Sequence, residues 1–200
     1  MTRDEAVTRI QEGLGFRNDK AETIKKRLEE ARIALETGKT LPWFLIQEDQ
    51  PLALAQGSNV IALPTGFIRP VSDEEQALRY TSIYSDFPRI IPWKTFRDAQ
   101  NAYADRDPGA PLVAVLRNTS IYVFPAADVA YTLTWSYYKH SDALNAGDVD
   151  DHPWLTTAPD ALVGEAGFRM AVDARDAEAA QVFDKMRLEG RTQLIAEGVE

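Results

Sequence analysis

Cysteine is absent from the 200 residues of this chain, and histidine occurs only twice. The first absence excludes disulfides, thiol nucleophiles and cysteine-ligated metals, and it fits a reducing compartment. No apolar run approaches the roughly 18 residues of a membrane span. Residues 1–13 are charged and lack the apolar core of a signal peptide. We therefore expect a protein made in the cytoplasm and used there or in a particle assembled there.

Positive charge is also scarce, because 22 Lys and Arg stand against 31 Asp and Glu, a formal net charge of −9. This balance argues against general coating of nucleic acid, since nonspecific affinity comes from cations that neutralise phosphates. It does not exclude a protein that lets nucleic acid pass without binding it. The hydrophobic fraction of 44% and the charged fraction of 26% are typical of a soluble globular chain.

Helical periodicity marks both ends of the chain. Residues 3–14 predict a short helix, and residues 19–37 predict a longer one with one apolar face. That face carries Ile24, Leu28, Ala31 and Leu35, and charged residues occupy most of the remaining positions. Two further helices are predicted, one from about residue 157 and one from about Ala177, with Gly190 weakening or bending the last.

The middle of the chain differs, because it holds most of the prolines and aromatic residues and little helical periodicity. A short helix is predicted near residues 93–104. Strands are predicted at residues 60–64, 111–118, 120–125 and 130–139. In the last strand Tyr131, Leu133, Trp135 and Tyr137 alternate with Thr132, Thr134 and Ser136. This alternation predicts a half-buried antiparallel strand with one packed face.

These patterns predict an α+β fold in which two helix pairs pack on each other, because a single pair cannot bury its apolar stripe alone. The helical bundle would comprise residues 1–40 and 157–195. An antiparallel β-rich module, residues 41–156, would be inserted into it. We expect the whole chain, residues 1–200, to act as one domain.

Signatures of cofactor chemistry are weak. Gly13-Leu14-Gly15 resembles the start of a dinucleotide-binding loop, but it follows a helix and Asn18 replaces the third glycine. A helix-ending turn is the better interpretation, since that loop needs a preceding strand. The sequence contains no Gly-x-x-x-x-Gly-Lys phosphate loop and no Gly-x-Ser-x-Gly motif. We therefore predict no cofactor and no catalytic residue.

One acidic loop could contribute ligands to a cation, namely Asp148, Asp150, Asp151 and His152. The spacing of a calcium loop fails, because Pro153 stands where glycine is needed and Pro159 stands where glutamate is needed. Neither His140 nor His152 belongs to a zinc-type cluster. We interpret the segment as a solvated acidic loop and predict no metal site.

Aromatic residues are expected to lie mostly in the core. Three tryptophans at the ends of predicted elements are instead candidates for a subunit interface, where tryptophan is enriched: Trp43, Trp93 and Trp154. A stacking platform for bases or sugars is the alternative interpretation.

The order of several short segments carries a resemblance to a known family. The segments are Leu-Pro-Trp-Phe-Leu at 41–45, Ile-Ala-Leu-Pro-Thr-Gly-Phe-Ile at 61–68, Gly-Ala-Pro at 109–111, Ile-Tyr-Val-Phe-Pro at 121–125, Tyr-Thr-Leu-Thr-Trp-Ser-Tyr-Tyr at 131–138 and Trp-Leu-Thr-Thr-Ala-Pro-Asp-Ala-Leu at 154–162. Their order, over roughly residues 5–195, resembles the head-to-tail adaptors of tailed phages, in particular those related to tail tubular protein A of short-tailed phages.

The resemblance implies a structural virion protein without enzymatic activity. Such adaptors form a ring, usually twelvefold, that binds the portal protein on one side and the tail tube or nozzle on the other. DNA passes through the lumen without specific binding. The C-terminal segment, here residues 187–200, is expected to reach toward the portal. Arg187, Arg191 and Leu194 are its candidate interface residues.

Simple geometry adds an expectation about the subunit. A compact chain of this length has a radius of gyration of roughly 16 Å. Twelve such spheres in contact would leave a hole far wider than a DNA duplex. We therefore expect thin wedges joined by a heterologous, ring-closing interface. The isolated subunit is expected to stay monomeric until the portal acts as a template.

Other functions stay open at this stage. A tail-tube terminator or another neck ring is the nearest alternative. A carboxylate-dependent hydrolase would require a cleft with two acids about 5–10 Å apart. A ligand-binding module would require exposed aromatic residues on the strand 130–139.

Overall fold

The computed structural model describes residues 1–71, 77–81, 87–103, 105–144 and 152–197. The chain divides into two compact units. The helical unit comprises Met1–Leu45 and His140–Glu200, and the β unit comprises Ile46–Lys139. The chain thus enters the β unit once and returns from it once. The helical unit includes residues 41–45, 140–144 and 152–156, which the sequence-based division assigned to the β-rich module.

The α+β class predicted from the sequence is confirmed. The described helices are α1 (Arg3–Gly13), α2 (Ala21–Glu36), α3 (Phe96–Tyr103), α4 (Pro153–Thr156), α5 (Pro159–Ala174) and α6 (Ala177–Glu197). All except α3 lie in the helical unit. Short 3-10 helices occur at Asn18–Lys20 and Trp43–Leu45. No helix within the described residues is long and apolar enough to cross a membrane.

The predicted apolar stripe of α2 forms part of the core of the helical unit. Ile24, Leu28 and Ala31 are fully buried. The start of α1 is fixed by a capping box, in which the Thr2 hydroxyl accepts from the backbone N–H of Glu5 and the Glu5 carboxylate accepts from the backbone N–H of Thr2. Reciprocal capping of this kind satisfies two donors that a helix start leaves open.

Glycines bring α5 and α6 into close backbone contact. A Cβ on Gly164 would lie 2.5 Å from the backbone nitrogen of Arg187, and one on Gly190 would lie 2.4 Å from that of Ala161. Neither separation is tolerated by packed atoms. Helix α6 continues through Gly190, whose missing side chain permits the approach of α5. The weakening or bending of α6 at Gly190 stays a prediction.

The β unit contains two antiparallel sheets. Its strands are β1 (Ile46–Leu54), β2 (Val60–Ala62), β3 (Phe67–Pro70), β4 (Arg79–Thr81), β5 (Pro88–Ile90), β6 (Val113–Arg117), β7 (Ser120–Phe124) and β8 (Tyr131–Lys139). One sheet has the order β1-β8-β4-β5, with β3 also paired to β8. The other sheet has the order β2-β7-β6, and β6 and β7 form the predicted hairpin.

Strand β1 was not predicted from the sequence, although it is one of the two longest strands. It pairs with β8 and places Pro51 opposite Thr134. Proline lacks a backbone donor and is tolerated in an edge strand. The strand was missed because Pro51 and the charged Glu48 and Asp49 interrupt the alternating pattern that predicts a strand. Asp49 also lies in a bulge, with φ 47°, and receives an ion pair from Arg79.

Strand β8 supplies the centre of the β unit. Leu133, Trp135 and Tyr137 are buried, as the alternation predicted. Trp135 lies between the rings of Phe67 at 5.3 Å and Trp93 at 5.6 Å, measured between centroids. Aromatic packing of this kind holds the interior of the β unit together.

Candidate interface groove

A groove of about 280 Å³ lies in the helical unit, at the C-terminal end of α2. It is lined by Ala34, Leu35, Gly38, Lys39, Thr40, Leu41, Pro42, Trp154, Arg191, Leu194 and Ile195. The wall is assembled from the end of α2, the segment that follows it, α4 and the last turns of α6. Segments far apart in the chain therefore meet at this one surface.

The groove combines an apolar floor with positive charge. Leu35, Leu41 and Leu194 are buried in its wall, and Ile195 is half exposed. The charged lining residues are Lys39 and Arg191, both exposed cations. Because the chain as a whole is strongly acidic, a cationic apolar groove is a distinctive local feature. Its chemistry suits a bulky apolar side chain next to a carboxylate.

Three of the six interface candidates line this groove. Trp154, Arg191 and Leu194 meet there, although the sequence separates the first from the other two by a whole helix and more. Trp43 follows the lining residue Pro42 and is 50% exposed. Its ring contacts that of Phe44 edge-on, and Phe44 in turn contacts Trp154 at a centroid distance of 5.1 Å. Trp43 is therefore an exposed aromatic side chain supported from beneath.

Arg187 belongs to an arginine cluster beside the groove. The carboxylate of Glu165 is 7% exposed and lies within ion-pair distance of Arg169, Arg187 and Arg191. Arg187 also donates to Asp184 at 2.6 Å, and its guanidinium lies 4.0 Å from the centroid of the Phe168 ring. Three cations thus share one buried carboxylate, which orients Arg191 at the edge of the groove.

Trp93 lies elsewhere, in the β unit. It is partly buried, packs against the core of that unit and forms an isolated bridge with Ala114. Its ring contacts the buried ring of Trp135. The structure thus groups five of the candidates in the helical unit and separates Trp93 from them.

A buried polar network supports the groove from behind. Glu36 is fully buried and accepts from Arg32 at 2.9 Å and from the indole Nε1 of Trp154 at 2.8 Å. The backbone N–H and hydroxyl of Ser141 also donate to this carboxylate, and His140 Nδ1 lies 2.8 Å from it. The sequence placed Glu36 on a charged face and missed this role.

Arg32 and Glu29 extend the network along α2. Arg32 donates to Glu29 at 2.5 Å and to the backbone carbonyl of Ser141 at 2.9 Å, and Glu29 accepts from the backbone N–H of Leu144. Burial pushes the pKa of Glu29 upward, but the hydrogen bonds from Arg32 and Leu144 outweigh it and hold the pKa below its ordinary value. The pKa of Arg32 is raised, because its two carboxylates outweigh the burial that would lower it.

His152 has a structural role in the helical unit. Its Nδ1 accepts from the backbone N–H of Trp154, and its Nε2 lies 2.9 Å from the carbonyl of Asp142. Both ring nitrogens are thereby engaged at the start of α4. The other members of the acidic loop lie outside the described residues. Within those residues, no group of three or more His, Cys, Asp or Glu could hold a metal ion.

The predicted turn after α1 is confirmed. Leu14 caps the helix, and Gly15 adopts a left-handed conformation at φ 71°. This turn does not follow a strand, so the dinucleotide-loop interpretation of residues 13–15 has no structural basis.

Comparison with known proteins identifies the family. A search of curated proteins finds no match to the chain. A family model, described as SU10 adaptor protein, matches residues 1–199. This family is one of structural phage adaptors and not a known family of enzymes. Because the match covers nearly the whole sequence, the chain belongs to the SU10 adaptor protein family.

Proposed function

We propose that the protein is a head-to-tail adaptor that forms a ring between the portal and the tail tube or nozzle of a phage. The observation that carries this proposal is the family match over residues 1–199. The ring is usually twelvefold in adaptors of the kind that the sequence resembles. In this proposal the protein is a virion component, assembled in the host cytoplasm, that acts through shape and contact and performs no reaction.

The groove supports the proposal because its composition is that of a protein interface. Tryptophan and arginine are enriched among residues that dominate binding energy. The exposed Arg191 lines the groove, and the half-exposed Trp43 follows its lining residue Pro42. The buried network of Glu36 and the Glu165 cluster hold the lining in place. A preformed surface loses less conformational entropy on binding, so it suits an assembly built from many copies.

The net charge of −9 supports a role in which DNA passes through a lumen. Like charges on the channel and on the phosphates keep the duplex from adhering, so DNA slides. Ring closure requires heterologous contacts, in which two different surfaces of each subunit meet. A tail-tube terminator or another neck ring would share these features and differ only in its neighbours within the particle.

The other two functions find less support. A hydrolase needs two free acids in one cleft, and in one described cavity both carboxylates have structural partners. Asp173 pairs with Arg27 at 2.6 Å, and Asp176 caps the start of α6. The stacking platform on β8 requires exposed rings, whereas Trp135 and Tyr137 are buried. Burial also raises the pKa of the Tyr137 hydroxyl.

Copurification with the portal protein tests the proposal. The full-length chain is expected to bind assembled portal rings, and native mass spectrometry of the complex should give a whole number of subunits that matches a closed ring. A chain that fails to bind portals from its own phage and is missing from purified particles would contradict the proposal. Subunits at the far end of the tail would instead favour a terminator.

A further inference from the structure

An unusual aromatic side chain lies at the opposite end of α2 from the groove. Phe16 is 69% exposed, the largest exposure among the described aromatic side chains of the helical unit. It adopts a left-handed backbone conformation at φ 61°, immediately after Gly15. Its N–H donates to the carbonyl of Gln11 at 2.7 Å, and the N–H of Gly15 donates to that of Glu12 at 3.1 Å. These bonds form a Schellman turn that ends α1.

The local fold does not explain a phenylalanine at this place. In a Schellman turn the residue at this position commonly packs on the helix at positions that are Gln11 and Ile10 here, yet Phe16 stays 69% exposed. A bulky residue with positive φ is rare and costs free energy of folding. The chain thus holds a large apolar ring out in water on a strained but hydrogen-bonded turn. The exposure of Phe16 together with its strained backbone makes it a candidate contact residue.

The Phe16 side chain and the groove lie at opposite ends of one helix, α2. Phe16 precedes α2, and the side chains beside it, Arg17 and Lys20, share a cavity with Thr23 in the first turn of α2. The groove lies where α2 ends. The 16 residues of α2 make a helix about 24 Å long. Phe16 therefore cannot occupy the groove of its own chain, but it can reach that of a neighbouring copy.

The charges beside the two features are complementary. Glu12 is exposed four residues before Phe16, and Lys39 is exposed at the edge of the groove. Neither side chain forms an ion pair with another described residue. With the ring inserted into the groove, the carboxylate would approach the ammonium group. The groove, at about 280 Å³, is slightly smaller than the usual range for small-molecule sites, and this size favours one inserted side chain.

We propose that Phe16 of one subunit inserts into the groove of the next, with Glu12 beside Lys39. This inference rests on the proposed ring function and names its subunit contact. The occupant of the groove is a second copy of this chain, because each chain carries both the exposed Phe16 side chain and the complementary groove. The two surfaces differ and lie at opposite ends of one unit, so the contact is heterologous. Repeated around an axis, contacts of this type close a ring.

Disulfide trapping tests this contact directly, because the chain contains no cysteine of its own. The variant carries Phe16→Cys together with Lys39→Cys, bound to portal rings and oxidised with copper phenanthroline. The two positions lie too far apart in one chain for a disulfide, which requires Cα atoms within about 7 Å. We expect a ladder of covalent oligomers on a denaturing gel. Each single-cysteine variant should give no product larger than a dimer.

Matched controls separate this contact from chance collisions. Phe16→Cys combined with Val182→Cys places the second thiol on an exposed site of α6 outside the groove and should give no ladder. A complete adaptor ring on the portal with no ladder from the Phe16 and Lys39 pair would overturn the contact and leave the proposed function standing. Failure of the wild-type chain to form any ring on the portal would overturn both.

Charge reversal provides a second test that does not depend on the cysteines. Glu12→Lys and Lys39→Glu should each weaken ring formation about tenfold, and the double variant should recover most of that loss. Phe16→Ala should weaken assembly of the subunit ring at least about tenfold. It should not lower the melting temperature, because the Phe16 side chain is exposed. Single variants that assemble as the wild type does, or a double variant with no recovery, would contradict the proposed contact.

Discussion

The two units of the molecule differ in the kinds of side chain that they bury. The helical unit buries polar and charged side chains, since Arg32, Glu36, His152 and Glu165 are all less than one tenth exposed. In the described part of the β unit, Ser136 is the sole buried polar residue. Its interior is instead aromatic, with Trp135 at the centre. The first unit is specified by hydrogen bonds between named partners, and the second by shape and apolar area.

This difference suits the covalent arrangement of each unit. The helical unit is assembled from two chain segments, and its buried network joins α2 to residues 140–144 and to α4. Directional bonds favour one pairing of these segments over others. The strands of the β unit lie in a single continuous segment, so no second chain segment has to join them. The groove of the helical unit lies on the segments that the network holds.

The largest effect is expected from removal of the central carboxylate. Glu36→Ala leaves the buried donors of Arg32, Ser141 and Trp154 with fewer acceptors and should lower the free energy of unfolding of the helical unit by about 3–5 kcal/mol. Amide hydrogen exchange of residues in each unit measures this loss separately for the two. The β unit should change much less than the helical unit.

Glu30→Ala is the matched control for Glu36→Ala, on the same helix. Glu30 pairs with Arg27 at a partly exposed site. Its loss should lower the free energy of unfolding by no more than about 1 kcal/mol. Equal effects of the two substitutions would show that burial of the carboxylate is irrelevant to stability.

A pair of identical substitutions compares the two interiors most closely. Trp154 and Trp135 are both 1% exposed, but Nε1 of Trp154 donates to Glu36, whereas Nε1 of Trp135 has no partner among the described residues. Both changes to Phe remove similar volume. Trp154→Phe should therefore destabilise its unit by about 1–3 kcal/mol more than Trp135→Phe destabilises the other. A larger loss for Trp135→Phe would contradict the comparison.

Part of the loss of folding stability in acid should come from Glu29 in the helical unit. The folded-state pKa of Glu29 lies below its ordinary value of 4.5, so its ionised form stabilises the fold above that pH. This contribution is lost as the pH falls through the folded-state pKa. The stability gap between wild type and Glu29→Gln should therefore be widest above pH 4.5 and close in acid. Urea unfolding across this range measures it, and a gap that widens in acid would refute the assignment.

The sequence predicted those features that depend on repetition along one element. The stripe of α2 and the alternation of β8 are periodic, and the structure buries both. Glu36 was missed because its partners, Ser141 and Trp154, lie more than 100 residues away, and periodicity carries no information about such contacts. Strand β1 was missed because pairing with β8 overrides its poor local propensity.

The candidate groove was also predicted only in part. Trp154, Arg191 and Leu194 were identified individually, from residue type and from the family resemblance. Their meeting in one groove was not predicted, because it depends on packing between the two ends of the chain. Leu35 was predicted only as part of the apolar stripe of α2, and Lys39 gave no signal of its own, since charged residues occur on most helices.

The smallest effect on stability is expected at the surface of the helical unit. Trp43 is half exposed, so Trp43→Ala should change the free energy of unfolding by no more than about 1 kcal/mol. Ring assembly on the portal should nevertheless weaken, if Trp43 contributes to an interface as proposed. Sedimentation of portal complexes measures assembly, and thermal unfolding of the free chain measures stability. Loss of both together would assign Trp43 to the core and not to an interface.

We propose that this chain works by stacking between two other parts of a virion, and electron cryo-microscopy of purified particles is the decisive test. We expect a closed ring of this chain, with density for both units, between the portal and the tail tube or nozzle. Density for the chain at any other place in the particle, or none in an infectious particle, would contradict it.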